Sequence, residues 1–197
     1  MPDLKPVARP DLMRAFDPVP LASASIAQVH AATLLDGREV VAKVVRPGIE
    51  RQIRRDIDLL MTIARLAEKY WEGGMRVKPT EFVREFESFV FDELDMYREA
   101  SNASLLRSNF EGSKDLYIPE IYWQYSGPTV LTMEKVDFVK ITDLEAIQAA
   151  GVSSVQAADE LHRIYMRQVF ETFFVHVDPH PGNLFIMPLP TPEEQDA

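Results

Sequence analysis

Cysteine is absent from the 197-residue chain. Disulfide bonds and thiolate metal ligands are therefore excluded, which fits a reducing compartment. Long apolar runs are also absent, because no window approaches the roughly 20 consecutive apolar residues that a membrane-spanning helix needs. The N-terminus has neither the apolar core of a signal peptide nor the Arg-rich pattern of a transit peptide. We therefore expect a soluble, cytoplasmic protein.

Basic residues are few, since 21 lysines and arginines face 31 aspartates and glutamates and give a formal net charge of −10. Phosphate backbones select for clustered basic side chains, so this charge balance argues against a nucleic-acid partner. The apolar content of 46% is that of a globular protein. Strand-like and helix-like patterns occupy different parts of the chain, which predicts a mixed α+β fold.

Strand patterns occur at 27–35 and 38–46, on either side of Asp36-Gly37. This dipeptide predicts a type I′ hairpin turn, in which both central residues have positive φ. A second hairpin is predicted for 118–125 and 129–136, and a short strand for 183–187.

Helical spacing of apolar residues predicts three long helices, at 53–71, at 79–110 with a break near Ser101-Asn102, and at 154–175. The expected organisation has four parts. They are an N-terminal extension (1–19), a first lobe with the sheet and two long helices (20–138), the start of a helical second lobe (139–187) and a Pro-rich acidic tail (188–197).

The segment after the last helix, His176-Val-Asp178-Pro-His180-Pro-Gly-Asn183, carries several chemically active side chains. Its prolines and glycine fix an irregular loop. An Asp followed five residues later by an Asn is the spacing of a phosphoryl-transfer loop, where the carboxylate orients the attacking hydroxyl and the amide oxygen binds Mg²⁺. Two alternatives stay open. Asp178 and Asn183 could simply cap turns, or His176, Asp178 and His180 could be ligands of iron or zinc.

Lys43 is a lone cation in the apolar run Val-Val-Ala-Lys-Val-Val. A buried ammonium group must be paired or functional. Either Lys43 lies on an edge strand and faces solvent, or it contacts nucleotide phosphates and pairs with a helix glutamate, as in kinases. The candidate partners are Glu93, Asp95 and Glu99, of which Asp95 and Glu99 share a helix face. A solvated acidic stripe is the alternative interpretation.

Small residues precede the lysine strand in Pro-Leu-Ala-Ser-Ala-Ser-Ile-Ala-Gln-Val-His, residues 20–30. Small side chains let a ligand approach the backbone, and successive N–H groups can bind phosphate oxygens. The segment contains no glycine, so it is not a standard Gly-rich phosphate loop.

Four segments together, PLASASIAQVH, VVAKVVRP, DELDMYREASNA and FFVHVDPHPGNLF, resemble motifs of the UbiB/AarF/ADCK family of atypical protein-kinase-like proteins, in the same order. The resemblance covers about residues 20–187. An alanine-rich loop replaces the Gly-rich loop in that family, so the missing glycines support the resemblance. It implies a protein-kinase-like fold, with an antiparallel sheet and two long helices in the N-lobe and an incomplete helical C-lobe.

The resemblance also implies a site for ATP and Mg²⁺. Lys43 would contact the phosphates with Glu99 as its partner, Asp178 would be the catalytic aspartate, and Asn183 a magnesium ligand. The remaining residues implied for nucleotide binding are Ala22, Ser23, Ala24, Ser25 and Ile26, which would cover the nucleotide, and Glu93 and Asp95, which match the E-x-D motif of the family.

Members of this family are linked to ubiquinone or other isoprenoid-lipid metabolism, which implies isoprenoid lipid or membrane-associated biosynthetic proteins as partners and peripheral membrane attachment of the full-length protein. Two family motifs are missing, an upstream K-x-G-Q and an Asp-Phe-Gly after the catalytic loop. We therefore expect an inactive fragment of a longer protein. The alternative functions are a non-catalytic module that binds nucleotide or lipid, and a small-molecule phosphotransferase.

Overall fold

The computed structural model describes residues 13–71, 78–175 and 181–187. They form two compact units. The first holds the described residues up to Leu105 together with Pro119–Lys135, and the second holds Leu106–Ile118 and the described residues from Val136 onward. The predicted tail at 188–197, most of the predicted N-terminal extension and residues 176–180 lie outside the described residues.

The first unit is built on a four-stranded antiparallel sheet in the order β1-β2-β3-β4. The strands are β1 (Met13–Ser23), β2 (Ala27–Leu34), β3 (Glu39–Val45) and β4 (Val130–Glu134). The predicted pairing of β2 with β3 is confirmed, with Val29 opposite Lys43.

Strand β1 was not predicted. Its register against β2 shifts between Phe16 and Pro20 and again before Ala22. Pro18 and Pro20 lack the N–H group that a regular ladder requires, so prolines in a strand are confined to edges and irregular positions. Because of these prolines, the segment lacks the regular alternation that predicts a strand.

The turn between β2 and β3 corrects the predicted type I′ turn. The N–H of Gly37 donates to the carbonyl of Leu34 at 3.0 Å, and the N–H of Leu34 donates to the carbonyl of Arg38 at 2.9 Å. The loop therefore has three residues, and within it only Gly37 has a positive φ, of 92°. This is the hairpin in which a type I turn is followed by a left-handed residue. The Asp36 carboxylate accepts the N–H of Arg38 at 3.1 Å, and this bond stabilises the loop around Gly37.

The described chain has four helices of 14 or more residues and one helix of six residues. The helices are α1 (Ile49–Tyr70), α2 (Pro79–Glu93), α3 (Met96–Asn109), α4 (Leu144–Ala149) and α5 (Ser154–Arg167). The predicted break near Ser101-Asn102 is wrong, because the helix is interrupted at Leu94 and Asp95. Asp95 caps the N-terminus of α3 through its side chain, whereas Ser101 and Asn102 lie on the exposed surface of that helix.

The second predicted hairpin is confirmed only at its second strand. Residues 118–125 form a single bridge, between Ile121 and Met133, followed by the 3-10 turn Trp123–Tyr125. Strand β4 pairs with β3 instead, as the fourth strand of the main sheet.

In the second unit, the predicted helix at 154–175 is α-helical as far as Arg167 and continues as the π-helix Gln168–Thr172. Two short strands, β5 (Val139–Lys140) and β6 (Phe185–Ile186), pair antiparallel. Strand β6 lies within the predicted strand at 183–187. Among the described helices, none combines the length and the apolar character of a bilayer span.

Side chains of β3 alternate between two faces of the sheet. Val40, Ala42 and Val44 belong to one buried cluster, which also contains Leu34 and Tyr122. Val45 packs against a second cluster, which joins α3 to the sheet. The members of this second cluster are Met96, Ala100, Ile121 and Leu131, with Ala103 and Met133 at its edge.

Helices α1 and α2 pack through a third cluster formed by Ile57, Ala64 and Val83. Their pairing is reinforced by Glu68 of α1, whose carboxylate accepts the N–H and the hydroxyl of Thr80 at 3.0 and 2.6 Å. A fourth cluster, in the second unit, contains Leu106, Phe110 and Ile164.

Candidate functional site

Lys43 and Glu99 form an ion pair in the first unit. The Lys43 Nζ donates to both carboxylate oxygens of Glu99, at 2.8 Å to Oε1 and 2.7 Å to Oε2. The two residues are 56 positions apart in sequence. Their side chains are 26% and 39% exposed, so the pair lies at a surface that a ligand can reach.

The position of Lys43 follows from the sheet. Strand β3 lies between β2 and β4, so the alternative of a solvent-facing lysine on an edge strand does not apply. Lys43 and Val45 are two residues apart and share one face of the sheet. Val45 contacts the cluster that α3 buries, so Lys43 faces the same helix.

The position of Glu99 follows from the packing of α3. Met96, Ala100 and Ala103 are spaced so that one face of α3 contacts the sheet. Glu99 is adjacent to Ala100 and lies near the border of this face, where a side chain reaches Lys43 without being fully buried. The N–H of Met96 donates to the carbonyl of Pro128 at 3.2 Å, which fixes the start of the helix beside β4.

The geometry of this pair suits the recognition of an anion. A lysine ammonium group has three N–H donors, and two of them are directed to the carboxylate of Glu99. One donor is left for a further acceptor. The carboxylate restrains a long flexible side chain, so the cation is held in place before a ligand binds.

The structure separates the three acidic candidates. Glu99 pairs with Lys43, whereas Glu93 ends α2 as an exposed side chain. The Asp95 Oδ1 accepts the N–H of Tyr97 at 2.9 Å, so its carboxylate caps helix α3. Sharing a helix face with Glu99 therefore did not make Asp95 a partner of Lys43.

The small-residue segment forms the connection between β1 and β2. Ala22 and Ser23 end β1, while Ala24, Ser25 and Ile26 make the turn. The N–H of Ala24 donates to the carbonyl of Ala27 at 2.9 Å. Within the described part of the chain, the N–H groups of Ser25 and Ile26 have no hydrogen-bond acceptor.

Arg46 contacts this turn. It was not among the site residues predicted from the sequence. Its guanidinium donates to the carbonyl of Ala24 from Nη2 at 3.0 Å and from Nε at 3.2 Å. The signal in the sequence was a basic residue directly after the lysine strand.

The predicted catalytic loop is described only at its end. Asn183 ends the 3-10 turn Pro181–Asn183 in the second unit, with an exposed side chain. Asp178, His176 and His180 lie outside the described residues. No cluster of three or more metal-binding side chains occurs in the part of the chain that the structure describes.

An antiparallel sheet with a strand lysine paired to a helix glutamate defines a protein of the kinase-like class. Residues 8–193 match the model of the ABC1 atypical kinase-like domain, and the chain belongs to this family. The resemblance to UbiB-type proteins is thereby confirmed.

Curated relatives are similar over most of the chain. It is 49% identical over 176 residues to a probable protein kinase UbiB of Marinobacter nauticus, and 47% identical over 176 residues to that of Cellvibrio japonicus. Both alignments cover 89% of this chain and 32% of the relative. The chain thus spans about a third of the length of these relatives.

A solved structure confirms the fold class. The chain superposes with a TM-score of 0.70 on Rv3197 of Mycobacterium tuberculosis, solved in complex with erythromycin. Sequence identity is 25%, and the match covers 90% of this chain and 44% of the mycobacterial one. The predicted α+β, kinase-like class is therefore correct.

Proposed function

We propose that this chain forms the nucleotide-binding part of an ATP-dependent, UbiB-type kinase-like enzyme. The bidentate ion pair between Lys43 and Glu99 carries the proposal. In kinases a strand lysine held by a helix glutamate contacts the α- and β-phosphates. The contribution of this pair to stability is small, because a partly exposed ion pair contributes up to about 1 kcal/mol.

The described residues fit the phosphates of a nucleotide. Lys43 keeps one ammonium donor for an anion, and the turn before β2 offers the N–H groups of Ser25 and Ile26. Backbone N–H groups in a turn bind phosphate oxygens well. Ala22, Ser23 and Ala24 would complete the cover of the nucleotide with small side chains that permit close approach.

Asp178 and Asn183 are proposed for the remaining parts of the site. A carboxylate and an amide supply the oxygen ligands that Mg²⁺ prefers, and Asn183 is proposed to hold this ion. Asp178 would accept the proton of an acceptor hydroxyl or of water. Bound ATP with Mg²⁺ supplies the transferable γ-phosphoryl group. Glu93, an exposed residue at the end of α2, and Asp95 keep their proposed place beside the nucleotide through the E-x-D motif.

The metabolic role is proposed from the relatives. The curated proteins of Marinobacter nauticus and Cellvibrio japonicus are named probable protein kinase UbiB. We propose that this protein likewise acts in ubiquinone or isoprenoid-lipid metabolism, with an isoprenoid lipid or a membrane-associated biosynthetic protein as partner and peripheral attachment to the membrane.

Binding of ATP to the purified full-length protein tests this function. Titration with and without Mg²⁺ should show Mg²⁺-dependent binding that weakens about tenfold or more in Lys43→Ala, because a charge-assisted contact to phosphate is lost. Lys78→Ala is the matched control, since Lys78 also pairs with a glutamate, Glu81, but at an exposed surface. A wild type that binds no ATP, or equal effects of the two variants, would reject the proposal.

Turnover separates an enzyme from a non-catalytic nucleotide-binding module. Phosphate release from ATP should occur in the wild type and be lost in Asp178→Asn, while ATP still binds. Binding without release in the wild type would select the non-catalytic module.

A second candidate is a phosphotransferase acting on a small molecule. The observation that favours it is the solved complex of the related Rv3197 with erythromycin. Erythromycin should then raise the thermal midpoint of the full-length protein and stimulate phosphate release. No thermal shift at millimolar erythromycin would remove erythromycin as a substrate, and with it the observation that favours this candidate.

A further inference from the structure

Arg46, which follows β3, forms hydrogen bonds with the glycine-free turn before β2. Its Nη2 and Nε both donate to the carbonyl oxygen of Ala24, at 3.0 and 3.2 Å. Its own N–H donates to the carbonyl of Ile26 at 2.9 Å. One residue thus fixes two carbonyl groups of the same short turn, and it does so from both its side chain and its backbone.

The turn has few other restraints. Its residues from Ala22 to Ser25 are exposed. Ala22 and Ser23 pair with Val29 and Gln28 of β2. For Ala24 to Ile26, the described hydrogen bond besides those to Arg46 is the one from the Ala24 N–H to the Ala27 carbonyl. Apolar packing therefore cannot determine the conformation of this turn, and polar contacts must do so.

The direction of these bonds has a consequence for the N–H groups. A carbonyl and the N–H of the next residue belong to one peptide plane and point in opposite directions. Fixing the carbonyl of Ala24 therefore fixes the N–H of Ser25. That N–H and the N–H of Ile26 are the two donors of the turn without an acceptor in the described chain.

Arg46 also lies three residues beyond Lys43, directly after Val45, the last residue of the same strand. The backbone positions of Lys43 and Arg46 are thus at a fixed spacing, because an extended backbone rises about 3.3 Å per residue. Any ligand that contacts both Lys43 and the turn depends on this spacing.

We propose that Arg46 is a positioning residue that orients the N–H group of Ser25 toward nucleotide phosphates. The role rests on the proposed function, since it requires that a nucleotide binds beside Lys43. Arg46 replaces by side-chain hydrogen bonds what glycine provides in a Gly-rich loop by its freedom of φ. The role therefore predicts an effect on binding of the phosphates and none on binding of the nucleoside.

Competition binding with ATP, ADP and adenosine tests this role in the full-length protein. In Arg46→Gln, the Kd for ATP and ADP should rise about tenfold, since charge-assisted hydrogen bonds that hold the donors are lost. The Kd for adenosine should stay unchanged. Arg46→Lys should be intermediate, because an ammonium can reach one carbonyl but cannot present a planar fork of donors.

The matched control is Arg55→Gln, which removes the same charge from an exposed position on α1. Amide exchange measured without nucleotide gives a second readout. The N–H of Ala24 should exchange faster in Arg46→Gln than in the wild type or in the control, because the turn that protects it loosens.

Three results would overturn the role of Arg46 alone: an unchanged Kd for ATP, an equal loss of adenosine binding, or unchanged exchange at Ala24. An equal loss of adenosine binding would identify a general structural contribution instead. If the wild type bound no nucleotide, the proposed function would fail, and the role in phosphate binding would fail with it.

Discussion

The carboxylate of Asp95 accepts a hydrogen bond from the backbone N–H of Tyr97 at 2.9 Å. The carbonyl of Asp95 accepts the N–H of Glu99 at 3.3 Å, so this residue begins the helix that carries the partner of Lys43. A helix cap and an acidic residue implied for the nucleotide site are thus the same side chain. These two roles differ in what they require, because capping needs an oxygen acceptor and the E-x-D role needs a charge.

Replacement of Asp95 separates the two roles. Asp95→Ala should lower the free energy of unfolding by about 1 kcal/mol, whereas Asp95→Asn should retain most of it, since asparagine caps helices as well as aspartate does. Urea unfolding of the full-length protein measures both. Equal destabilisation by alanine and asparagine would show that the cap contributes nothing. A change in ATP affinity in the asparagine variant would indicate that the charge itself is used.

Glu99→Gln should affect ligand binding more than stability. The carboxylate is 39% exposed and its lysine partner 26%, and pairs of this kind contribute up to about 1 kcal/mol to folding. The free energy of unfolding should therefore fall by less than about 1 kcal/mol, while ATP affinity falls several-fold because Lys43 is no longer held. Urea unfolding and ATP titration on the same sample test this difference. A large loss of stability with unchanged affinity would contradict it.

Gly37→Ala should destabilise the protein by about 1 kcal/mol, because φ at this position is +92° and a Cβ atom is strained there. Gly127→Ala is the matched control. Both positions have open space around an added Cβ, but Gly127 does not have a φ in the left-handed region. The comparison of thermal midpoints isolates the backbone effect. Similar values for both variants would show that φ is not the cause.

Glu68 should give the pairing of α1 and α2 a dependence on pH. The hydroxyl and the N–H of Thr80 donate to its carboxylate and hold the pKa of Glu68 below its ordinary value. A lowered pKa stabilises the folded state above the unfolded pKa of about 4.3, and this stabilisation is lost as the pH falls through the folded value.

The difference in unfolding free energy between wild type and Glu68→Gln should therefore be constant near neutral pH and shrink below about pH 4. Chemical unfolding at a series of pH values measures it. Glu85→Gln is the control, since Glu85 is exposed on α2. A difference that grows on acidification would contradict the assignment.

Much of the fold could be predicted from the local sequence pattern. The β2–β3 hairpin, the long helix α1 and the last short strand were predicted from the spacing of apolar residues and from turn-forming residues, because these features depend on neighbours in sequence. The turn type was wrong, since Asp36-Gly37 fits both a two-residue and a three-residue loop. Hydrogen bonds between Leu34, Gly37 and Arg38 decide between them.

The candidate site could be predicted only in part from the sequence. The apolar run around Lys43 singled out this lysine, and the resemblance selected Glu99, while helical spacing alone left three acidic candidates open. The break of the second long helix at Leu94 and Asp95 was missed, because capping by Asp95 competes with an uninterrupted helical pattern. Arg46 was missed because its contact with Ala24 joins segments that local pattern does not relate.

Motif order and residue periodicity are properties of the linear chain, so the mixed α+β class and the family could be predicted from the sequence alone. The tertiary structure decided that β3 is internal, that Glu99 rather than Asp95 pairs with Lys43, and that Arg46 holds the turn. The first two depend on the packing of α3 and β4 with the sheet, and the contact of Arg46 depends on the pairing of β2 with β3. Residues 56 positions apart meet only when that packing forms, so no local pattern can specify their contact.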